Sequence, residues 1–149
     1  MNLDYLMFGK DQMEQLIPQR NPMMMVDGLH NSDEQSTTST LTILEENMFV
    51  QQDFLQESGI IENMAQTAAL RAGYQAKLKG STPDIGFIGA VKRLTIQRLP
   101  QTNEQLLTEI TLTSELLGAM IVHATTRINN EIIAEGDLSI FLSQPTKTN

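Results

Sequence analysis

Two rhythms of apolar positions divide this chain. Residues 58–79 run in small and apolar side chains with no proline, which predicts one long helix with Ser58 as its N-cap and Gly80 as its stop. Its alanines, Ala65, Ala68, Ala69, Ala72 and Ala76, carry little bulk, so a sheet is expected to wrap closely around it. After Pro83 the period falls to two. Ile85, Phe87, Gly89 and Val91 share one face, whereas Leu94 and Ile96 change parity, which predicts a bulge near Lys92 or Arg93. Alternating runs through Ile110, Val122 and Leu138 follow, separated by turns at 100–104, at Gly118 and at Asn129 with Asn130.

Ahead of the long helix, residues 10–17 read as a short helix stopped by Pro18. Pro22 keeps the stretch before it irregular. A strand is expected over 23–29, a polar turn at 31–34 and a threonine-rich strand over 36–44. The order is short helix, two strands, long helix, four strands, and residues after Pro145 are expected to fray. That order predicts one α+β domain over residues 1–149, an antiparallel sheet with its helices on one face. One sheet around one helix leaves an outer face and edges to cover, which predicts a homodimer or a higher oligomer.

Composition removes several functions. A net charge of −8 argues against nucleic acid or an anionic membrane as a general partner, and no apolar run approaches bilayer length. The absence of cysteine excludes thiolate metal sites, disulfides and a cysteine nucleophile. Two histidines, His30 and His123, limit acid–base chemistry near neutral pH; both read as surface residues, and neither has metal-ligand spacing. No metal or other cofactor is expected, and the default location is cytoplasmic.

One carboxylate stands out. Glu62 lies among apolar and small residues in the first turn of the expected helix, where backbone N–H groups favour negative charge. Burying an acid there is costly without a partner or a task. Its alternative is a solvated helix carboxylate.

Three stretches carry a resemblance. Residues 16–27 hold Ile17, Pro18, Gln19, Arg20, Asn21 and Pro22 before an apolar run that ends in Val26 and Asp27. Ile60, Ile61, Glu62, Asn63, Met64, Ala65 and Gln66 form the second stretch, and residues 87–93 (Phe87 to Arg93) the third. Together they resemble the hotdog-fold 3-hydroxyacyl-[acyl-carrier-protein] dehydratases. In that family a Leu-Pro-His-Arg-x-Pro segment leads into the first strand and an Ile-Ile-Glu-Ala-Met-Ala-Gln helix carries the catalytic glutamate. The likeness spans roughly residues 10–143 and implies a hotdog fold. It also implies binding of acyl thioesters of acyl carrier protein or coenzyme A, in fatty-acid or polyene-type synthesis.

The departures fall at the active site. Where the family has a Gly-His-Phe-Pro-Gly loop, this chain has Gln52, Asp53, Phe54, Leu55 and Gln56, so Asp53 stands in the histidine's place. Dehydration needs a base for the proton beside the carbonyl, an acid for the leaving hydroxyl and donors for the thioester oxygen. The resemblance assigns the acid to Glu62. Gln66, one turn later, is expected to orient it, and N–H groups near Gly59 and Ile60 are candidates for the thioester oxygen. Asp53 is either an ordinary loop acid or a replacement base; its reference pKa lies about 2.6 units below histidine's.

Other expectations follow from the same frame. Phe54, Phe87 and Gly89 are assigned to the acyl site, and Met23, Met24 and Met25 to the core, with one or two in a tunnel wall. Lys92, Arg93 and Arg98 fit either solvated strand positions or a docking patch for an acidic carrier protein. A carboxylate-dependent thioesterase, or a non-catalytic partner subunit of an intact dehydratase, would use the same pocket. Histidine-lacking members of this kind resemble the dehydratase-like proteins of aryl-polyene-type pigment synthesis, where two dehydratase homologues act together.

Overall fold

A computed structural model describes residues 5–143. A 3-10 helix, Lys10–Gln15, opens the chain, followed by β1 (Gly28–Ser32) and β2 (Ser36–Thr42). A small hairpin of β3 (Val50–Gln51) and β4 (Phe54–Leu55) leads into α1 (Glu57–Lys79). Four long strands complete the fold: β5 (Ile85–Ile96), β6 (Gln105–Leu116), β7 (Ala119–Ile128) and β8 (Glu131–Ser143). Six of the strands form one antiparallel sheet in the order β1-β2-β6-β7-β8-β5.

The sheet wraps one face around α1, the hotdog arrangement. Between them lies the main core, including Ile60, Met64 and Ala68 of the helix and Leu106, Ile110, Val122, Ala124, Leu138 and Ile140 of the sheet. A second cluster (Met13, Leu16, Ile17, Val26, Leu29, Leu70) seats the 3-10 helix on α1. Gly73 makes that seat close, because any Cβ there would collide with the Leu16 carbonyl.

Several local expectations hold. Gly80 ends α1 in the left-handed region at φ 65°, its N–H bonded to Ala76 and Lys77 carbonyls. Asn129 and Asn130 both take positive φ, which turns β7 into β8 through a two-residue loop. The parity change in β5 is a bulge between Lys92 and Thr95, with Arg93 at φ 52°; a second shift falls between Ile88 and Ala90. The frayed tail expected after Pro145 lies outside the described residues.

Other boundaries move. The N-cap is Gln56, not Ser58, and Glu62 therefore sits in the second turn, beyond the free N–H groups of the helix start. The first strand is 28–32 instead of 23–29, and the turn follows it at 33–35. Met23 closes a turn and residues 24–27 have no regular structure, and helix side chains bind Met23 and Met25. The second strand stops at Thr42 rather than residue 44.

The two sheet edges are treated differently. Outside β1, the N-terminal segment bonds to both polar groups of Leu29, through Met7 N–H at 2.8 Å and Phe8 carbonyl at 2.9 Å. At the β5 edge Phe87 is 60% exposed and Ile88 39% exposed. Among the described residues no helix is long and apolar enough to cross a membrane.

Candidate functional site

Glu62 and Gln66 face the same side of α1, one turn apart. Gln66 is fully buried, and its amide is fully used: Oε1 accepts the Met25 N–H at 2.6 Å, while Nε2 donates to the Met23 carbonyl (2.7 Å) and to Glu62 Oε1 (2.8 Å). Asn63 reinforces the clamp, donating from Nδ2 to the Met25 carbonyl at 2.8 Å and accepting from Thr108 at 2.6 Å. The 23–25 segment is thus tied to the helix beside Glu62, and the half-buried carboxylate has a fixed neighbour.

Beside that carboxylate lies a cavity of about 580 Å³. One wall is the alanine side of α1, with Ala65, Ala68, Ala69 and Ala72 running away from Glu62. At 1.5 Å per residue, this wall reaches roughly 15 Å along the helix from Glu62 to Ala72. The facing wall is residues 85–88 of β5 with Met120, Ile140 and Leu142, and residues 14–20 close a third side. The alanines therefore do not draw the sheet in along their whole length; they leave a slot lined mainly by apolar groups, with the carboxylates of Glu14, Glu62 and Asp84 and the guanidinium of Arg20 among its lining residues.

The structure distributes the sequence-derived residues unevenly. Phe87 lines the slot with Glu62. Gly89 does not; it lies under Phe141, whose ring would collide with a Cβ at that position. Ile60 is core, and Gly59 is packed against Leu55 and Phe49. Their N–H groups bond the Gln56 carbonyl, at 3.3 Å for Ile60 and 2.9 Å for Gly59, which removes them as donors to a thioester oxygen within this chain. Met25 is core, while Met23 and Met24 do not line the slot either.

Asp53 occupies the tip of the β3–β4 hairpin, where it and Gln52 take positive φ. It is exposed and does not line the slot that Glu62 borders. Side-chain hydrogen bonds from Thr102 and Gln101 hold its carboxyl below the ordinary value, Gln101 Nε2 lying 2.7 Å from Oδ2. A carboxylate stabilised as an anion in this way is a poor proton acceptor. Phe54, its half-exposed neighbour, bridges to Gln101 and also lies away from the slot.

Two of the three expected docking cations are already paired. Arg98 makes a bidentate bond to Glu104, both contacts 2.9 Å, and Arg93 reaches Asp137 at 2.8 Å. The Arg98 pairing raises its pKa and holds Glu104 below the ordinary carboxylate value. Lys92 is exposed. His123 sits between Asp137 (2.8 Å) and Glu135 (3.5 Å) outside the slot, and His30 bonds the Tyr5 carbonyl. Among the described residues no group of three or more His, Asp or Glu side chains is placed to hold a metal ion.

Sequence reasoning missed several polar residues of the slot, among them Glu14, Gln19, Arg20 and Asp84. Gln19 lines it together with Glu62, and its Oε1 is buried without a hydrogen-bond partner. The available signal was its position, where the resembled family carries histidine.

Comparison with known proteins fixes the family. The sequence matches the ApeP-like family, described as ApeP dehydratase, over residues 11–149. The chain belongs to that family. A chain of the dehydratase heterocomplex ApeI:P from Xenorhabdus doucetiae superposes with TM-score 0.84 at 16% identity, covering 91% of this chain and 93% of that one. Cj0977, a sigma28-regulated virulence protein from Campylobacter jejuni, gives 0.68 at 13% identity, with 91% and 90% covered. A hypothetical thioesterase protein with coenzyme A from Streptococcus pneumoniae TIGR4 gives 0.62 at 5%, with 77% and 84% covered. No curated protein sequence matches. At these identities the structural likenesses establish the hotdog fold of this ApeP-like protein and nothing finer.

Proposed function

We propose that this ApeP-like chain is the carboxylate-bearing subunit of a cytoplasmic dehydratase acting on 3-hydroxyacyl or 2-enoyl thioesters in fatty-acid or polyene-type synthesis. A histidine-bearing homologue completes its site across β5, and acyl carrier protein or coenzyme A delivers the thioester. The observation that carries this reading is the fixed Glu62 at an apolar slot without histidine, since the chain's two histidines both lie elsewhere. The exposed Phe87 and Ile88 on the edge strand that walls the slot support an assembly there. A structural neighbour that is itself part of a dehydratase heterocomplex supports the same choice of partner.

In this reading the partner's histidine takes the proton beside the thioester carbonyl. The C–H electron pair becomes the new C=C bond, and the bond to the 3-hydroxyl breaks. Glu62, protonated before the step, gives its proton to the departing hydroxyl, which leaves as water. Gln66 holds the carboxyl toward the slot. Donors to the thioester oxygen come from outside the first turn of α1, whose Gly59 and Ile60 N–H groups are occupied.

The test is hydration of an enoyl thioester by the chain alone, by a histidine-bearing homologue alone and by the two co-expressed. Activity is expected from a mixed assembly, and Glu62→Gln is expected to lower it by at least ~10². Full activity of the mixed assembly with Glu62→Gln would overturn the assignment. Release of free thiol from saturated thioesters, where no elimination can occur, would make the chain a thioesterase instead.

A further inference from the structure

We infer that the slot sorts its ligands by charge: a neutral acyl thioester enters as it is, whereas a free fatty acid enters only together with a proton. Glu62 sets that rule. This rests on the proposed function and adds the charge state of the ligand at the same site.

Among the described residues that line the slot, the charged groups are three carboxylates and one guanidinium. Glu14 and Arg20 lie on the side formed by residues 14–20, Glu62 on α1, and Asp84 in the connection from α1 to β5. The lining residues contributed by β5, β7 and β8 carry no charge.

That guanidinium is already committed. Arg20 donates through Nη1 to the carbonyls of Ile17 (2.8 Å) and Gln19 (2.9 Å), and through Nη2 to that of Glu14 (3.1 Å). Its Nε lies 3.6 Å from the Glu14 carboxylate. Glu62 has a different neighbour, the neutral amide of Gln66, which donates to its Oε1 at 2.8 Å. No ion pair among the described residues includes Glu62. The Gln66 amide is itself held by the Met25 N–H and the Met23 carbonyl, so Glu62 keeps its place at the slot.

A fatty acid whose chain lies along the alanine wall, with its head where the thioester would react, brings a second carboxylate beside Glu62. Two such groups without a cation do not both stay ionised, so one of them takes up a proton as the ligand binds. Glu62 is half-buried and acts at close range. Glu14 and Asp84 are exposed, and salt screens their fields. A thioester carries no charge at its carbonyl and needs no proton.

The experiment measures binding of octanoate and of octanoyl-pantetheine to the full chain by calorimetry, from about pH 7.5 down to about pH 5.5, above the ordinary carboxylate range. Octanoate affinity of wild type is expected to rise by up to about tenfold per pH unit lowered, while octanoyl-pantetheine affinity stays level. Repeating the titration in buffers of different ionisation heat should count about one proton taken up per octanoate and none per thioester. Glu62→Gln, of the same shape but uncharged, is expected to flatten the slope and to raise octanoate affinity at neutral pH by about tenfold. Asp84→Asn should keep the wild-type slope. A level octanoate affinity in wild type would place the head group in solvent, and would overturn the inference while leaving the acyl-thioester reading intact. A slope that survives in Glu62→Gln would also overturn it, since desolvation of the ligand in an apolar slot then accounts for the effect. So would octanoate that fails to bind at the acid end of the range while the thioester binds. Failure of wild type to bind the thioester at any pH would overturn both readings.

Discussion

Gln66 Nε2 stands 2.8 Å from Glu62 Oε1, one helical turn away, while Gln66 Oε1 holds the Met25 N–H at 2.6 Å. One amide thereby joins the candidate acid to the 23–25 segment beside it. Gln66→Leu would leave the Met25 N–H and the Met23 carbonyl without their partners. A loss of about 1–3 kcal/mol is expected, chiefly from the buried Met25 N–H, measured by urea unfolding. A conservative Gln66→Glu should recover the Met25 bond but lose the donor to the Met23 carbonyl and to Glu62, so it too should destabilise.

Asp53 tests the histidine-replacement idea directly. Its carboxylate already bonds Gln101, and its carbonyl takes the Thr102 N–H at 3.0 Å. Asp53→Asn should therefore change enoyl hydration by the mixed assembly far less than the ~10²–10⁴ expected for losing a general base. Steady-state rates at saturating thioester decide it.

The Arg98–Glu104 pair gives a pH signature on the acid side. Arg98 holds the Glu104 carboxyl below its ordinary value, so its contribution is present above the unfolded carboxylate pKa. It is lost as pH falls through the lower, folded value. Glu104→Gln should cost no more than about 1 kcal/mol at neutral pH, and the difference from wild type should shrink as the solution is acidified. Urea midpoints from neutral to acid pH test the sign.

Slot length is set by the alanine wall. Ala72 lies farthest from Glu62 among the slot-lining residues of α1. Ala72→Leu should shorten the space, leaving short acyl-pantetheines bound and weakening long ones by tenfold or more, about 1.4 kcal/mol. A uniform effect across chain lengths would place the acyl chain elsewhere.

Much of this was legible before any coordinates. The parity change at Lys92 and Arg93 announced a bulge, and Asn129 with Asn130 announced a tight turn, because backbone geometry restricts those residue types locally. The 23–27 segment was misread as strand because its apolar run of Met23 to Val26 reads like one, yet Gln66 and Asn63 of α1 bind Met25 in place of a sheet neighbour. Periodicity cannot report such long-range partners. The β3–β4 hairpin has two residues per strand, too few for alternation to register. Ser58 suggested an N-cap from its type alone, whereas the Gln56 N–H bond to Phe49 at 2.9 Å marks where the chain enters α1. Glu62 was visible as a candidate; the unpartnered oxygen of Gln19 was not, since burial without a bond is a property of space.

The uneven finish of the sheet has a consequence for how the protein must be made. Leu29 is shielded by its own N-terminal segment, but Phe87 and Ile88 reach the opposite margin exposed. A copy with nothing covering that margin carries a sticky seam, open to self-pairing or to precipitation. Under the proposed pairing, matched production of the two subunits serves solubility as much as catalysis.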